Sequence, residues 1–407
     1  MQLMFGLFVI SVQVFVVTSN KLLLILVDGF RWDYFDLPQI QLRGFERLKK
    51  EGVRAKWLEP VFPANSFPNY KSMETGLYPE SHGLVGNYIY NKNTGTIFDQ
   101  SLLDPENRDP VWFSGATPFY ISAEQQGKRV GLYNTLGCDI QIDDTLPSVC
   151  RPYDSHLTFE KFLTYIRDIV QRFNADDLDI GYMMYADVDV TGHLSGVNSQ
   201  KLNESIIQVS RLFELILDSN IREEVNVVFL SDHGMASVSD TNIINITSVV
   251  DMSLITDIME AGPLTYIYPR SGKENEVYVA LKTFHPHMHV FRREDLHERW
   301  FFKRHFLVPP ILLYADLGWH IIHPKTLKGL LQFKAHHGYD NAEKDMRGIF
   351  SAIGPDFKTQ LTVPPIKMVD VYQLICHVTG IHPNPHNGTW AHVQSMLRDN
   401  HQVHVDL

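Results

Sequence analysis

Three short apolar runs, "LLLILVDG" from Leu22, "DIGYMMYADVD" from Asp179 and "VNVVFLSDHG" from Val225, each end in an acid or an acid–histidine pair. An apolar run that stops abruptly at polar chemistry reads as a strand buried on both faces, and such a strand needs a layer packed on either side. Between the runs, "FEKFLTYIRDIVQRF" and "LNESIIQVSRLFELIL" repeat their apolar residues at intervals of three and four, the spacing of amphipathic helices. Strands alternating with helices predict an α/β fold, a mostly parallel sheet with helices on both faces. In such a sheet ligands bind beyond the carboxyl ends of the strands, where these runs deliver their acids and histidines.

No internal repeat or low-complexity linker divides the 407 residues, and 44% of them are hydrophobic, enough for a sizeable core. The aromatic and basic segment at about 262–325 reads as an inserted α+β subdomain, after which "GIFSAIGP" and "VDVYQLICHVTG" return to strand and helix patterns. One catalytic domain over residues 20–395, carrying this insertion and followed by a tail at 396–407, is the expected organisation. Residues 1–19, "MQLMFGLFVISVQVFVVTS", carry no charge and end in small residues, which reads as a secretory signal peptide. Sequons at Asn203, Asn245 and Asn387 fit the same route as glycosylation sites. Cys138 and Cys150 lie close enough in sequence to close a disulfide loop in an oxidising compartment, and Cys376 reads as a buried free thiol. No later apolar stretch is long enough to span a bilayer, so a secreted, extracellular product without a transmembrane anchor is expected. The formal net charge of -11 argues against a nucleic-acid partner. A small anionic substrate stays open, because a metal ion can supply positive charge locally.

Four separated segments offer metal ligands. Asp28 ends the first run, Asp189 and His193 sit in "DVTGH", Asp232 and His233 follow the third run, and His337 lies in "HHGYDN". Each alone has a bland reading, as a helix cap or a structural histidine. Together they supply three carboxylates and three imidazoles, which divide into two oxygen-and-nitrogen sets of the kind zinc takes. Ser66, in "VFPANSFPNYKSMETG", looks locally like a turn residue among prolines too dense for a helix interior. Beside two metal ions it becomes a candidate nucleophile: a metal can lower its hydroxyl pKa in place of a general base, while a second neutralises the leaving oxygen.

The segments "LLLILVDGFRWDY", "FPANSFPNYKSMETGLYPESHGLVGN", "DVDVTGHLSG", "VVFLSDHGM" and "HHGYDNAEKDMRGIFSAIGPDF" resemble, in this order, the ectonucleotide pyrophosphatase/phosphodiesterase family, a branch of the alkaline phosphatase superfamily. The resemblance runs from Leu22 to about Trp390 and implies an alkaline-phosphatase-like fold with two Zn2+ ions. It assigns Asp28, Ser66, Asp232 and His233 to one ion and Asp189, His193 and His337 to the other, and leaves His336 outside the ligand set. Ser66 stands where most members have threonine, although a choline-phosphodiesterase branch also uses serine. Asn87 matches the asparagine whose amide holds a phosphate oxygen. The cycle implied is attack by Ser66 on phosphorus followed by hydrolysis of the phosphoserine-type ester.

Phe67 and Tyr153 match positions whose rings sandwich a nucleobase in nucleotide-cleaving members, and such stacking contributes about 1–3 kcal/mol per base. Pro152 stands where the choline branch places an acid, which favours nucleotides, while Ser66 and the cysteine pair look like the choline branch. Thr135 and Leu136 replace a bulky Trp-Pro step, and Asn65 replaces a lysine that often precedes the nucleophile. The expected partners are therefore small nucleotide or phosphodiester substrates, with NAD and dinucleotide polyphosphates ranking with or above ATP. A choline-headgroup diester is the alternative.

Overall fold

The computed structural model describes residues 21–99, 109–154, 157–326 and 330–398. The expected signal peptide at 1–19 and the tail beyond 398 lie outside the described residues. In chain order the strands of the two larger sheets are β1 (Lys21–Val27), β2 (Val53–Ala55), β3 (Val130–Thr135), β4 (Val149–Pro152), β5 (Ile180–Tyr185) and β6 (Val225–Leu230). Then come β7 (Ile255–Met259), β8 (Leu264–Pro269), β9 (Met288–Arg292), β10 (Ile311–Ala315), β11 (Phe350–Ile353) and β12 (Leu361–Val363). The principal helices are α1 (Arg43–Glu51), α2 (Ser66–Thr75), α3 (Phe119–Gln125), α4 (Phe159–Asn174), α5 (Asp187–Ser195), α6 (Gln200–Asp218), α7 (Glu274–Lys282) and α8 (Met368–Thr379).

An eight-stranded sheet in the order β12-β2-β11-β6-β1-β5-β3-β4 forms the body of the molecule. All neighbours pair in parallel except around β11, which runs antiparallel to both β6 and β2. Why β1 had to be central follows from its side chains, since every residue from Leu22 to Val27 is fully buried. Leu22, Leu24 and Leu26 point to a core shared with Phe67, Tyr70 and Met73 of α2, Phe119 of α3 and Met368 of α8. Leu23, Ile25 and Val27 point the other way, to Phe45 and Leu48 of α1, Phe162 and Ile166 of α4, and Ile206 and Val209 of α6. Two-fold alternation with apolar residues at both phases therefore demands a helical layer on each face. The α/β expectation is borne out.

Register then fixes where the chemistry emerges. Val27 stands beside Tyr185 and Leu26 beside Leu230, so β1, β5 and β6 end level with one another. Asp28, Asp189 and Asp232 leave the sheet at this common carboxyl edge.

A second, antiparallel sheet in the order β7-β8-β10-β9 stands against the first. One of its faces closes a small core with α7, built from Ile267, Val277, Leu281, Ile311 and Leu313. The other face contributes Leu264, Tyr266 and Leu312 to the main core, so this sheet is packed as a wall of the larger body. No helix among the described residues is long and apolar enough to cross a membrane.

Leu24 lies in the middle of β1 and is fully buried. Leu24→Ala is expected to lower unfolding free energy by about 2–5 kcal/mol, read from the urea midpoint at constant m-value, because the rigid sheet on either side cannot collapse into the cavity.

Candidate active site

The first two ligand candidates are delivered by the ends of β1 and β5. Gly29 adopts φ +66, and a Cβ there would lie 2.8 Å from the Cβ of Asp189, so only glycine lets β1 end this close to α5. Its N–H donates to Asp232 Oδ1 at 3.1 Å, tying the β1 turn to the β6 turn. Asp189 and His193 are four apart on α5 and so share a face, with His193 Nε2 3.3 Å from Asp189 Oδ2. Beneath them, His233 Nε2 is 3.0 Å from Asp232 Oδ2 and 3.5 Å from Asp28 Oδ1. His337 Nε2 lies 3.6 Å from Asp189 Oδ1, and its ring stacks on His233 with centroids 3.7 Å apart.

Each imidazole is held by its other nitrogen. Nδ1 lies within hydrogen-bond distance of a backbone carbonyl in His193 (Ala335 O, 2.9 Å), His233 (Gly234 O, 2.9 Å) and His337 (Ala64 O, 3.1 Å). Donation from Nδ1–H to that carbonyl fixes the tautomer and turns the Nε2 lone pair inward, the arrangement that orients a metal ligand.

Ser66 is the first residue of α2, after Asn65 in extended conformation, and not the turn residue its proline-rich neighbourhood suggested. Pro68 fits because it falls in the first helical turn, where an N–H has no intrahelical acceptor to lose. Ser66 Oγ is 3.2 Å from His233 Nε2. One turn on, the Tyr70 hydroxyl donates to Asp28 Oδ2 at 2.5 Å. Sequence reading passed over Tyr70, whose signal was its four-residue spacing from a serine that opens a helix.

The electrostatics of this floor are those of crowded acids and imidazoles. Burial and the neighbouring charges of Asp232 and Asp189 push the Asp28 carboxyl well above its ordinary range. Burial pulls His233 down, yet Asp232 and Asp189 outweigh it and hold the imidazole above its usual value. His337 is pushed well below by burial and by the other two imidazoles, which keeps it neutral and fit to ligate. Asp28 Oδ1, Asp189 Oδ1 and Asp232 Oδ2 are buried without a hydrogen-bond partner. Orphaned carboxylate oxygens this close to inward imidazole nitrogens fit divalent metal ions. Two sets bring their ligand atoms within 4.8 Å of one another: Asp28, Asp232 and His233, and Asp189, His233 and His337. His233 thus falls within reach of both, while His193 joins the second through Asp189. His336 belongs to neither set and lines the cleft instead.

Above this floor opens a cleft of about 1090 Å³, lined by Ser66, Phe67, Asn87, Tyr153, Asp189 and His337 among others. Phe67 is mostly buried against Phe98 and presents the remainder to the cleft, and Tyr153 is half-buried on the opposite strand end. Asn87 Oδ1 accepts from the Phe67 N–H at 3.1 Å, so donation to a ligand from this amide has to come from Nδ2. Among the described lining residues Lys325 is the only lysine or arginine, and it is paired with Asp257. Glu260 also lines the cleft; burial pushes its carboxyl up to about 7, although the Tyr88 and Asn87 N–H groups bonded to it pull the other way. Nothing in the local sequence marked Glu260, which arrives from the end of β7.

Cys138 and Cys150 form a disulfide between the loop after β3 and β4, and Cys376 is a buried thiol. Asn245 and Asn387 are exposed and Asn203 is half-buried on α6.

Compared with known proteins, the chain matches the family described as type I phosphodiesterase / nucleotide pyrophosphatase over residues 22–340. It is 33% identical over 385 residues to human ectonucleotide pyrophosphatase/phosphodiesterase family member 5, covering 93% of this chain and 78% of that protein. To human bis(5'-adenosyl)-triphosphatase ENPP4 it is 32% identical over 388 residues, covering 93% of this chain and 82% of that one. The solved structure of an inactive form of murine ENPP5 in complex with AMP matches with a TM-score of 0.86 at 32% identity, covering 93% of this chain and 100% of that chain.

A bound cation relieves the carboxylate repulsion only in the folded state. Exhaustive chelation is therefore expected to lower the melting temperature by about 5–10 °C, with recovery on returning a divalent metal, as followed by differential scanning fluorimetry. An unchanged melting curve would mean that the six ligand candidates hold no metal.

Proposed function

The chain belongs to the type I phosphodiesterase / nucleotide pyrophosphatase family and is a hydrolase of that class, and from this we propose that it cleaves extracellular nucleotides with a pair of zinc ions. NAD, dinucleotide polyphosphates and ATP are the substrates in view, and nucleoside 5'-monophosphates the products. The observation that carries the reading is the convergence on Ser66 of unpartnered carboxylate oxygens and inward imidazoles, at the floor of a cleft bordered by Phe67 and Tyr153. Zinc is favoured over magnesium or calcium because three imidazoles stand among the ligands. Asp28, Ser66, Asp232 and His233 would hold one ion, and Asp189, His193 and His337 the other. When bound, the metals supply Lewis acidity to the serine hydroxyl and to the phosphoryl oxygens.

The chain's own groups do the rest. Ser66 Oγ forms a bond to phosphorus as the bond to the leaving oxygen breaks, giving a phosphoserine-type ester that water then hydrolyses, regenerating the hydroxyl. Asn87 Nδ2 donates to a phosphoryl oxygen, which strengthens as negative charge grows there. Phe67 and Tyr153 hold the nucleobase between them. The cleft has no uncommitted lysine or arginine among its described residues, so a terminal phosphate gains little there beyond the metals. That supports a diester or dinucleotide over a phosphomonoester, and dinucleotides and NAD over ATP. Relatives lend the same direction: one is named for bis(5'-adenosyl)-triphosphatase activity and another was solved with AMP.

Residues 20–395 act as one catalytic domain in this reading, with 262–325 as the inserted subdomain. The product is secreted after loss of residues 1–19 and glycosylated at Asn203, Asn245 and Asn387. The Cys138–Cys150 bond and the exposure of Asn245 and Asn387 suit an oxidising, extracellular setting.

Purified protein is expected to carry two zinc ions per chain by elemental analysis. It should release AMP from diadenosine triphosphate and NAD faster than from ATP, and Ser66→Ala should reduce each rate by at least ~1000-fold. Phosphocholine release from glycerophosphocholine without AMP formation would instead assign the cleft to choline diesters.

A further inference from the structure

The residues on both sides of Ser66 are tied to Glu260, which lies nearly two hundred positions away in the chain. Glu260 is buried at the end of β7, and its Oε1 accepts the Asn87 N–H at 2.6 Å, the Tyr88 N–H at 3.1 Å and Asn65 Nδ2 at 3.4 Å. Asn65 immediately precedes the nucleophile. Asn87 in turn receives the N–H of Phe67, which immediately follows it. One carboxylate oxygen therefore fixes residue 65 directly and residue 67 through a single intermediary.

Two further features indicate that the surroundings are built for this grip. Glu260 holds φ +56, a left-handed conformation that a long side chain adopts only at a cost, and the carbonyl of this strained residue lies 2.7 Å from His323 Nε2, within hydrogen-bond distance. Gly86 supplies the space: a Cβ at that position would stand 2.6 Å from Glu260 Oε1 and 3.0 Å from the Tyr266 ring. A strained backbone, a glycine that clears the approach and three donors on one oxygen exceed what packing the second sheet requires.

We propose that Glu260 is a positioning residue for phosphodiester cleavage, which clamps Asn65 and the Asn87–Tyr88 backbone so that Ser66 Oγ and the Asn87 amide face the same phosphorus. This rests on the reading of Ser66 as nucleophile. It also gives the second sheet a part in the chemistry, since the clamp reaches the nucleophile from β7. Losing the anchor lets the helix start and the amide shift independently, and displacements of that size act on the reaction rate with little effect on substrate affinity.

The test uses hydrolysis of bis(p-nitrophenyl) phosphate by the metal-loaded protein, which reports diester cleavage whatever the nucleotide preference. Glu260→Ala is expected to reduce kcat about 100-fold with KM within about 3-fold, at unchanged metal content. Glu260→Gln retains an oxygen acceptor for the same donors, so it should return kcat to within about 3-fold of the parent. If Glu260→Ala does not fold, Gly86→Ala decides, because it displaces Oε1 without removing it and should show the same selective loss of kcat. Full kcat in the alanine variants, or a glutamine variant as poor as Glu260→Ala, would overturn the clamp. Ser66→Ala that retains kcat would instead remove the nucleophile reading, and the two failures are thereby told apart.

Discussion

Three carboxylates brought to one edge of a sheet, two buried and the third half-buried, repel one another, and the rest of the site is organised around that repulsion. It arises because β1, β5 and β6 are parallel and end level, so the residues that follow them converge. In a low-dielectric floor such charges are tolerated only with positive charge close by or with a shift toward the neutral form. Both responses show in the folded chain's own groups: Asp28 is pushed up by burial and by Asp232 and Asp189, while His233 is held above its usual value by Asp232. A cation would replace these compromises with direct ligation. The network of backbone carbonyls behind the three imidazoles keeps their Nε2 atoms turned inward for it.

Positive charge is otherwise scarce in the cleft, which bears on what the site can bind. Among the described lining residues the one lysine, Lys325, is committed to Asp257, so the cleft itself offers extra phosphates no free cationic side chain. The lining is otherwise largely apolar and aromatic, with Phe67, Tyr70, Tyr153 and Leu264 among it. Asn65, just before Ser66, adds no charge and spends its amide on Glu260.

Much of this was legible in the sequence for a definite reason. The alternation of β1 carries apolar side chains at both phases, and that pattern has few solutions other than a sheet covered on two faces. The acids and histidines could be placed because they follow such strands directly, and Asp189 and His193 because helical spacing puts them on one face. What stayed hidden depends on contacts between distant segments. Ser66 reads as a turn residue until the extended Asn65 shows that a helix begins there, and only then does Tyr70 fall on the same side. Glu260 comes from a strand end with no periodic or motif signal, and its meaning lies in the donors that meet it. The sharing of His233 between the two ligand groups likewise depends on the stacking of His233 on His337, which no local pattern encodes.

The hydrogen bond between His337 and Ala64 spans 273 residues of chain. Seen from the ribosome, the segments that carry Asp28, Asp189 and Asp232 are all made before the last imidazole. β11, which joins β6 to β2 in the central sheet, is made later still, so sheet and site can be closed only in a chain extended past residue 353. A chain cut short of His337 would therefore carry the three acids without the third imidazole.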